Sequence, residues 1–141
     1  MINKMIEELL GSTEVQSDRG GGGDTATGLA PLVLIVEDDP DIACSLTIRL
    51  KTQGLRTCLA QDAVSALDVA RENEPDLAIL DISMPGGDGF QVAEDLKKEP
   101  KTLGMPVSFL TASMRPDLRE RAEEVGAAFM TVVGIWFWEP M

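Results

Sequence analysis

Residues 76–90 read DLAILDISMPGGDGF. A short, continuous apolar run at 77–80 stops on one carboxylate, Asp81. The loop behind it is dense in turn formers, Ser83, Pro85, Gly86, Gly87, Asp88 and Gly89, and it leads into a helical pattern. A buried strand that ends on an acid and feeds a helix is the repeating unit of an open α/β sheet. Such sheets carry their chemistry at the carboxyl ends of the strands. Asp81 is therefore the candidate centre.

The same punctuation recurs on both sides of it. The apolar run 32–36 ends on Glu37, Asp38 and Asp39, and Asp41 reads as the start of a helix with Ile42, Leu46 and Leu50 on one face. That helix runs to about Gln53, with Gly54 as its stop. A second strand is expected at 55–60, then a helix capped by Asp62 that carries Val64, Leu67 and Ala70 and ends at Asn73 and Pro75. Asp88 begins a third helix, which fades at Lys97 and Lys98 before Pro100. Residues 105–110 read as a fourth strand ending on Thr111. Pro116 suits the first turn of a fourth helix that runs to Val125 and stops at Gly126, and residues 127–133 read as a fifth strand. Strands alternating with helices give parallel βαβ units with right-handed crossovers. Continuous rather than alternating apolar strands fit a sheet covered on both faces. The expected fold is a doubly wound α/β domain.

The whole chain sets further bounds. Its 141 residues allow one domain. Residues 1–30 lie apart from it: a short apolar stripe (Ile2, Met5, Ile6, Leu9, Leu10), then a polar linker with glycine at each position from 20 to 23. The domain is expected over 31–133, leaving 134–141 as an atypical aromatic tail. With 24 Asp plus Glu against 12 Lys plus Arg, the net charge of −12 argues against a nucleic-acid partner. It suits cations or basic protein patches. There is no histidine, which excludes His-ligated metals and Ser-His or Cys-His nucleophiles. Cys44 and Cys58 read as buried free thiols. No run approaches a membrane span, and Lys4, Glu7 and Glu8 break the apolar stripe that a signal peptide would need. The expected compartment is the cytoplasm, with no membrane partner.

Three strands thus end on polar groups: Glu37 and Asp38, then Asp81, then Thr111. In a parallel sheet those ends share one edge. Carboxylates brought together there raise one another's pKa and form an oxygen-rich site suited to Mg²⁺. With that charge compensated, an aspartate can act as a nucleophile and carry a covalent phosphoryl group. Thr111 can donate its hydroxyl to a phosphoryl oxygen. Taken singly, each residue has a plainer reading as solvated loop, helix cap or strand-end hydroxyl. The combination argues for a site.

The stretches VLIVEDDPDI (33–42), DLAILDISMPGGDGF (76–90), FLTAS (109–113) and RAEEVGAAFM (121–130) resemble the receiver domain of two-component response regulators. The resemblance implies a five-stranded parallel sheet in the order 2-1-3-4-5, flavodoxin-like. It implies Asp81 as phosphoacceptor, with Glu37 and Asp38 as the acidic pair and Asp38 as the direct Mg²⁺ ligand. Ser83 would add a backbone carbonyl to the same ion. Thr111 would be the switch hydroxyl, Ala112 the small residue beside it and Phe129 the aromatic switch. Asp39 falls outside the pair, as a turn or cap residue. The implied partners are a histidine kinase or phosphotransfer protein and a downstream protein target. The implied role is that of a phosphoacceptor rather than a turnover enzyme.

The family pattern also places a lysine and then a proline shortly after the aromatic residue of the fifth strand. Here Val132 and Val133 stand there, and no lysine follows Lys101. A fifth helix is also expected, whereas GIWFWEPM (134–141) has no helical stripe. The change of character after Thr131 reads either as a truncation or shifted frame, or as divergence into a lysine-free receiver. Either the aromatic tail or the N-terminal stripe could cover the sheet where the fifth helix is missing; the plainer reading of residues 1–30 is a disordered leader. Three functions compete: a single-domain phosphoacceptor switch, a phosphorylation-impaired interaction module, and a haloacid dehalogenase-like phosphatase using Asp39 and Asp41.

Overall fold

The computed structural model describes residues 30–82, 84, 88–111, 115–127, 129–132 and 137–140, the last two stretches by backbone alone. The strands are β1 (Leu32–Val36), β2 (Arg56–Ala60), β3 (Leu77–Asp81), β4 (Val107–Thr111), β5 (Phe129–Val132) and β6 (Phe137–Pro140). The helices are α1 (Pro40–Thr52), α2 (Ala63–Asn73), α3 (Gly89–Lys98) and α4 (Pro116–Glu124), with a 3-10 turn at Pro100–Thr102. The sheet order is β2-β1-β3-β4-β5-β6. The first five strands run parallel in the expected 2-1-3-4-5 order, and β6 adds antiparallel to β5.

Local chemistry explains the boundaries. Asp39 caps α1, its Oδ1 accepting from the backbone N–H groups of Asp41 (2.9 Å) and Ile42 (3.4 Å). Pro40 then fills the first helical position, where a missing N–H costs nothing. The helix therefore starts one residue before Asp41, and Asp39 is the cap. Asp62 caps α2 by accepting from Ser65 N at 2.8 Å, and Asp88 caps α3 by accepting from Gln91 N at 2.9 Å. Gly54 and Gly126 follow α1 and α4 with φ of 84° and 79°, backbone that a side chain disfavours.

One face of the sheet, through Leu34, Val36, Leu80 and Phe109, packs against Ala66 and Ala70 of α2, Phe90 and Leu96 of α3 and Ala122 of α4. α1 lies on the other face, with Leu46 and Leu50 fully buried. At the amino-terminal edge of the strands, Leu32 and Asp76 exchange hydrogen bonds: Leu32 N donates to Asp76 Oδ2 (2.8 Å), and Asp76 N donates to Leu32 O (2.7 Å). Cys44 is exposed and Cys58 half-buried, both free. The expected burial of Cys44 is wrong, because it sits on the solvent side of α1. Among the described residues no helix is long and apolar enough to cross a membrane.

Two expectations about the chain's ends meet the structure differently. The expected N-terminal stripe lies outside the described residues. Residues 137–140 extend the sheet in its own plane beside β5, and among the described residues no helix follows β5.

Candidate functional site

β1 and β3 are neighbours in register, Val36 opposite Leu80, so the residues that follow them emerge side by side. Glu37 and Asp38 come from the end of β1 and Asp81 closes β3. One carboxylate oxygen from each lies within 4.8 Å of the others. Glu37 is buried, Asp81 half-buried and Asp38 exposed, so the group opens from the sheet edge towards solvent. Glu37 is fixed at both ends: its N–H donates to Ala60 O at 3.0 Å, and its Oε2 accepts from Asp39 N at 3.0 Å.

Burial pushes the Glu37 carboxyl up to about 8, the charge of Asp81 and a hydrogen bond to it add to the rise, and the charge of Asp38 adds a little more. The Asp39 N–H pulls the other way without reversing the shift. At neutral pH Glu37 therefore holds a proton, shared towards Asp81. An all-oxygen donor set crowded enough to retain a proton fits a hard divalent cation, which would displace that proton.

The backbone behind Asp81 is drawn tight. Ile82 N donates to Leu110 O at 3.1 Å, and Gly89 N donates to Ile82 O at 3.0 Å. A Cβ at Gly89 would lie 3.0 Å from the Asp81 carbonyl carbon and closer still to its oxygen. Only glycine lets α3 begin against the phosphoacceptor candidate.

β4 supplies the third side. Asp81 pairs with Leu110, and buried Thr111 follows at the same edge. Thr111 pairs in turn with Val132 of β5, so the position lacking a lysine lies on the strand beside Thr111. The backbone of Phe129 pairs with Ser108, while the side chains of Phe129 and Val132 lie outside the described set. Ser83 and Ala112 also lie outside the described residues. Asp39 and Asp41, the pair that suggested a phosphatase, belong to the start of α1, where Asp39 is occupied as its cap.

One arrangement had no sequence signal beyond its residue types. The Arg121 guanidinium of α4 lies 4.1 Å over the Phe90 ring, and its Nη1 is 3.6 Å from Asp88 Oδ2. Phe90 in turn meets Phe109 of β4, with ring centroids 4.8 Å apart. α4 is thereby tied to the helix that starts beside Asp81. A cleft of about 610 Å³ at the opposite end of the sheet, lined by Leu32, Lys51, Arg56 and Glu72, is remote from the carboxylates.

The family described as response regulator receiver domain matches residues 33–131. The chain belongs to that family. This receiver is 37% identical over 99 residues to the phosphate regulon transcriptional regulatory protein PhoB of Escherichia coli (strain K12), an alignment covering 70% of this chain and 43% of PhoB. The chain thus matches less than half the length of that relative. Among solved structures it is similar to the chemotaxis protein CheY4 of Vibrio cholerae, with a TM-score of 0.71 and 26% identity over 74% of this chain and 88% of that one. It is also similar to the Mn²⁺-bound form of response regulator Rcp1, with a TM-score of 0.64 and 25% identity over 72% of this chain and 80% of that one. Receiver domains of this family act in two-component phosphorelay signalling rather than as turnover enzymes and bind Mg²⁺ at an acidic pocket; this chain carries an acidic group of Glu37, Asp38 and Asp81.

Proposed function

We propose that Asp81 accepts a phosphoryl group from a phosphohistidine donor on a histidine kinase or phosphotransfer protein, with Mg²⁺ held by Glu37, Asp38, Asp81 and the Ser83 carbonyl. The observation that carries this reading is the convergence of three carboxylates within 4.8 Å at the ends of β1 and β3. An Asp81 oxygen attacks phosphorus, a P–O bond forms, and the P–N bond to the donor imidazole breaks, its electron pair leaving on the ring nitrogen. A bound Mg²⁺ supplies the positive charge that lets an anionic nucleophile approach an anionic phosphoryl group. Thr111 donates its hydroxyl to a phosphoryl oxygen, with Ala112 leaving space beside it and Phe129 turning as the aromatic partner. The manganese-bound relative supports a divalent ion at this edge.

The phosphoryl group adds about −1.5 to −2 charges. The α4–β5 surface would respond as a shift between two populations, passed to a downstream protein by direct contact. PhoB is named as a transcriptional regulator, whereas the net charge of −12 on this chain disfavours direct contact with nucleic-acid phosphates. We assign it protein partners, no nucleic acid, no membrane, and a cytoplasmic setting, with residues 31–133 as the receiver unit, 1–30 as a short helix plus glycine-rich linker and 134–141 as an aromatic tail.

Val132 favours a second reading. A valine cannot pair with a phosphoryl oxygen, so one cation is absent from the transition state, and the chain would serve as an interaction module with weakened phosphorylation. Labelling with a radioactive small-molecule phosphodonor and Mg²⁺ separates the two. Asp81→Asn is expected to abolish incorporation, and unchanged incorporation in that variant would refute the first reading. Val132→Lys is expected to raise the rate at least about tenfold, equivalent to about 1.4 kcal/mol of barrier. A rate in the unaltered chain matching that of Val132→Lys would count against the second.

A further inference from the structure

The second face of the sheet is buried more widely than its described helix accounts for. Side chains alternate along a strand. With Leu34, Ala78, Val107 and Phe109 on the face of α2, α3 and α4, the opposite face receives Ile35, Ile79, Ser108 and Leu110. α1 packs there against β1 and β2. Ser108 and Leu110 stand on β4, two places beyond β1 in the sheet, about 10 Å away. They are nevertheless 0% and 1% exposed. Ser108 Oγ is buried there without a hydrogen-bond partner, as it would be beneath an apolar cover.

Two segments of the chain are candidates for that cover, and the C-terminal one is already committed. Residues 137–140 pair edge-on with β5, so this part of the tail widens the sheet instead of lying across it. The N-terminal segment carries Ile2, Met5, Ile6 and Leu9 at the i, i+3, i+4, i+7 spacing of one helical face, with Lys4, Glu7 and Glu8 off that face. An isolated helix of that length does not hold in water, so it needs a surface. The chain enters β1 from Ala30, whose carbonyl accepts from Arg56 Nε at 2.9 Å. The glycine-rich link at 11–29 has a root-mean-square span of about 24 Å, sufficient to lay a helix of about 15 Å over the neighbouring strands.

We propose that residues 1–10 form an amphipathic helix seated on the α1 side of β3 and β4, over Ile79, Ser108 and Leu110, in the place a fifth helix would take. The occupant is a segment of the same chain, so the contact is intramolecular.

Thermal unfolding of the full chain tests this against a chain lacking residues 2–10, Leu9→Asp, and Glu8→Gln as the polar-side control. The deletion is expected to lower Tm by about 10 °C and Leu9→Asp by about half that, with the control unchanged. The full chain should remain a monomer whose Tm does not vary with concentration. Hydrogen exchange on the intact chain gives a readout even where the deletion prevents folding: amides 5–10 should exchange slowly. Free exchange at those amides, an unchanged Tm in the deletion, or a dimer whose dissociation exposes β4 would each overturn the proposal, the last by assigning the face to a second copy.

Discussion

Glu37 is the residue on which the site's electrostatics turn. Its carboxyl, raised from 4.5 to about 8, binds a proton in the folded chain that the unfolded chain has already released. Between those two values the native state holds more protons, so stability falls as pH rises from about 4.5 to about 8. Without divalent cations, Tm is expected to decline across that window, and Glu37→Gln should flatten the decline. Millimolar Mg²⁺ should restore Tm most at the alkaline end, where the ion no longer competes with a proton. A Tm that rises through the same window would contradict this account. The crowding of acids was legible in advance, since Glu37 and Asp38 follow one apolar run and Asp81 closes another. It could not tell which of them would be buried. That follows from Ala60 O and Asp39 N–H pinning the Glu37 backbone and side chain inward, while Asp38 faces solvent.

At the scale of elements, strands and helices were legible where one chemical device set the boundary. β3 ends on Asp81 and α2 follows Asp62 as expected, because an apolar run and a cap each act locally. Boundaries were less legible where two devices overlapped. Asp39 and Asp41 both suit a helix start, and Pro40 between them decided for Asp39. β6 escaped notice because its pairing partner, β5, is set by tertiary assembly. The only local cue was Gly134 between two apolar runs. The start of α3 yields a prediction. Gly89→Ala would press a methyl group into the Asp81 backbone, at an expected cost of roughly 1–3 kcal/mol with a matching loss of phosphoryl labelling. Gly104→Ala meets nothing within 4 Å and serves as the silent control. Equal urea midpoints for the two variants would show that the close approach at Gly89 is relaxed at no cost.

For the molecule as a whole, a net charge of −12 on 141 residues is a standing self-repulsion. Raising monovalent salt from about 20 to about 200 mM shortens the screening length and is expected to raise Tm by a few degrees, even with the carboxylate site disabled by Asp81→Asn. A salt response that vanished in Asp81→Asn would place the repulsion at the site alone. The placement of β6 carries a different consequence. A parallel sheet that stopped at β5 would leave that strand's outer amides and carbonyls open as a template for a neighbouring molecule. Pairing with residues 137–140 moves that boundary outward onto a strand whose last residue, Pro140, has no N–H to offer. Residues 137–140 thus act as a hem on the described sheet: removing them should leave the carboxylates where they are and open β5 to edge-to-edge pairing with another molecule.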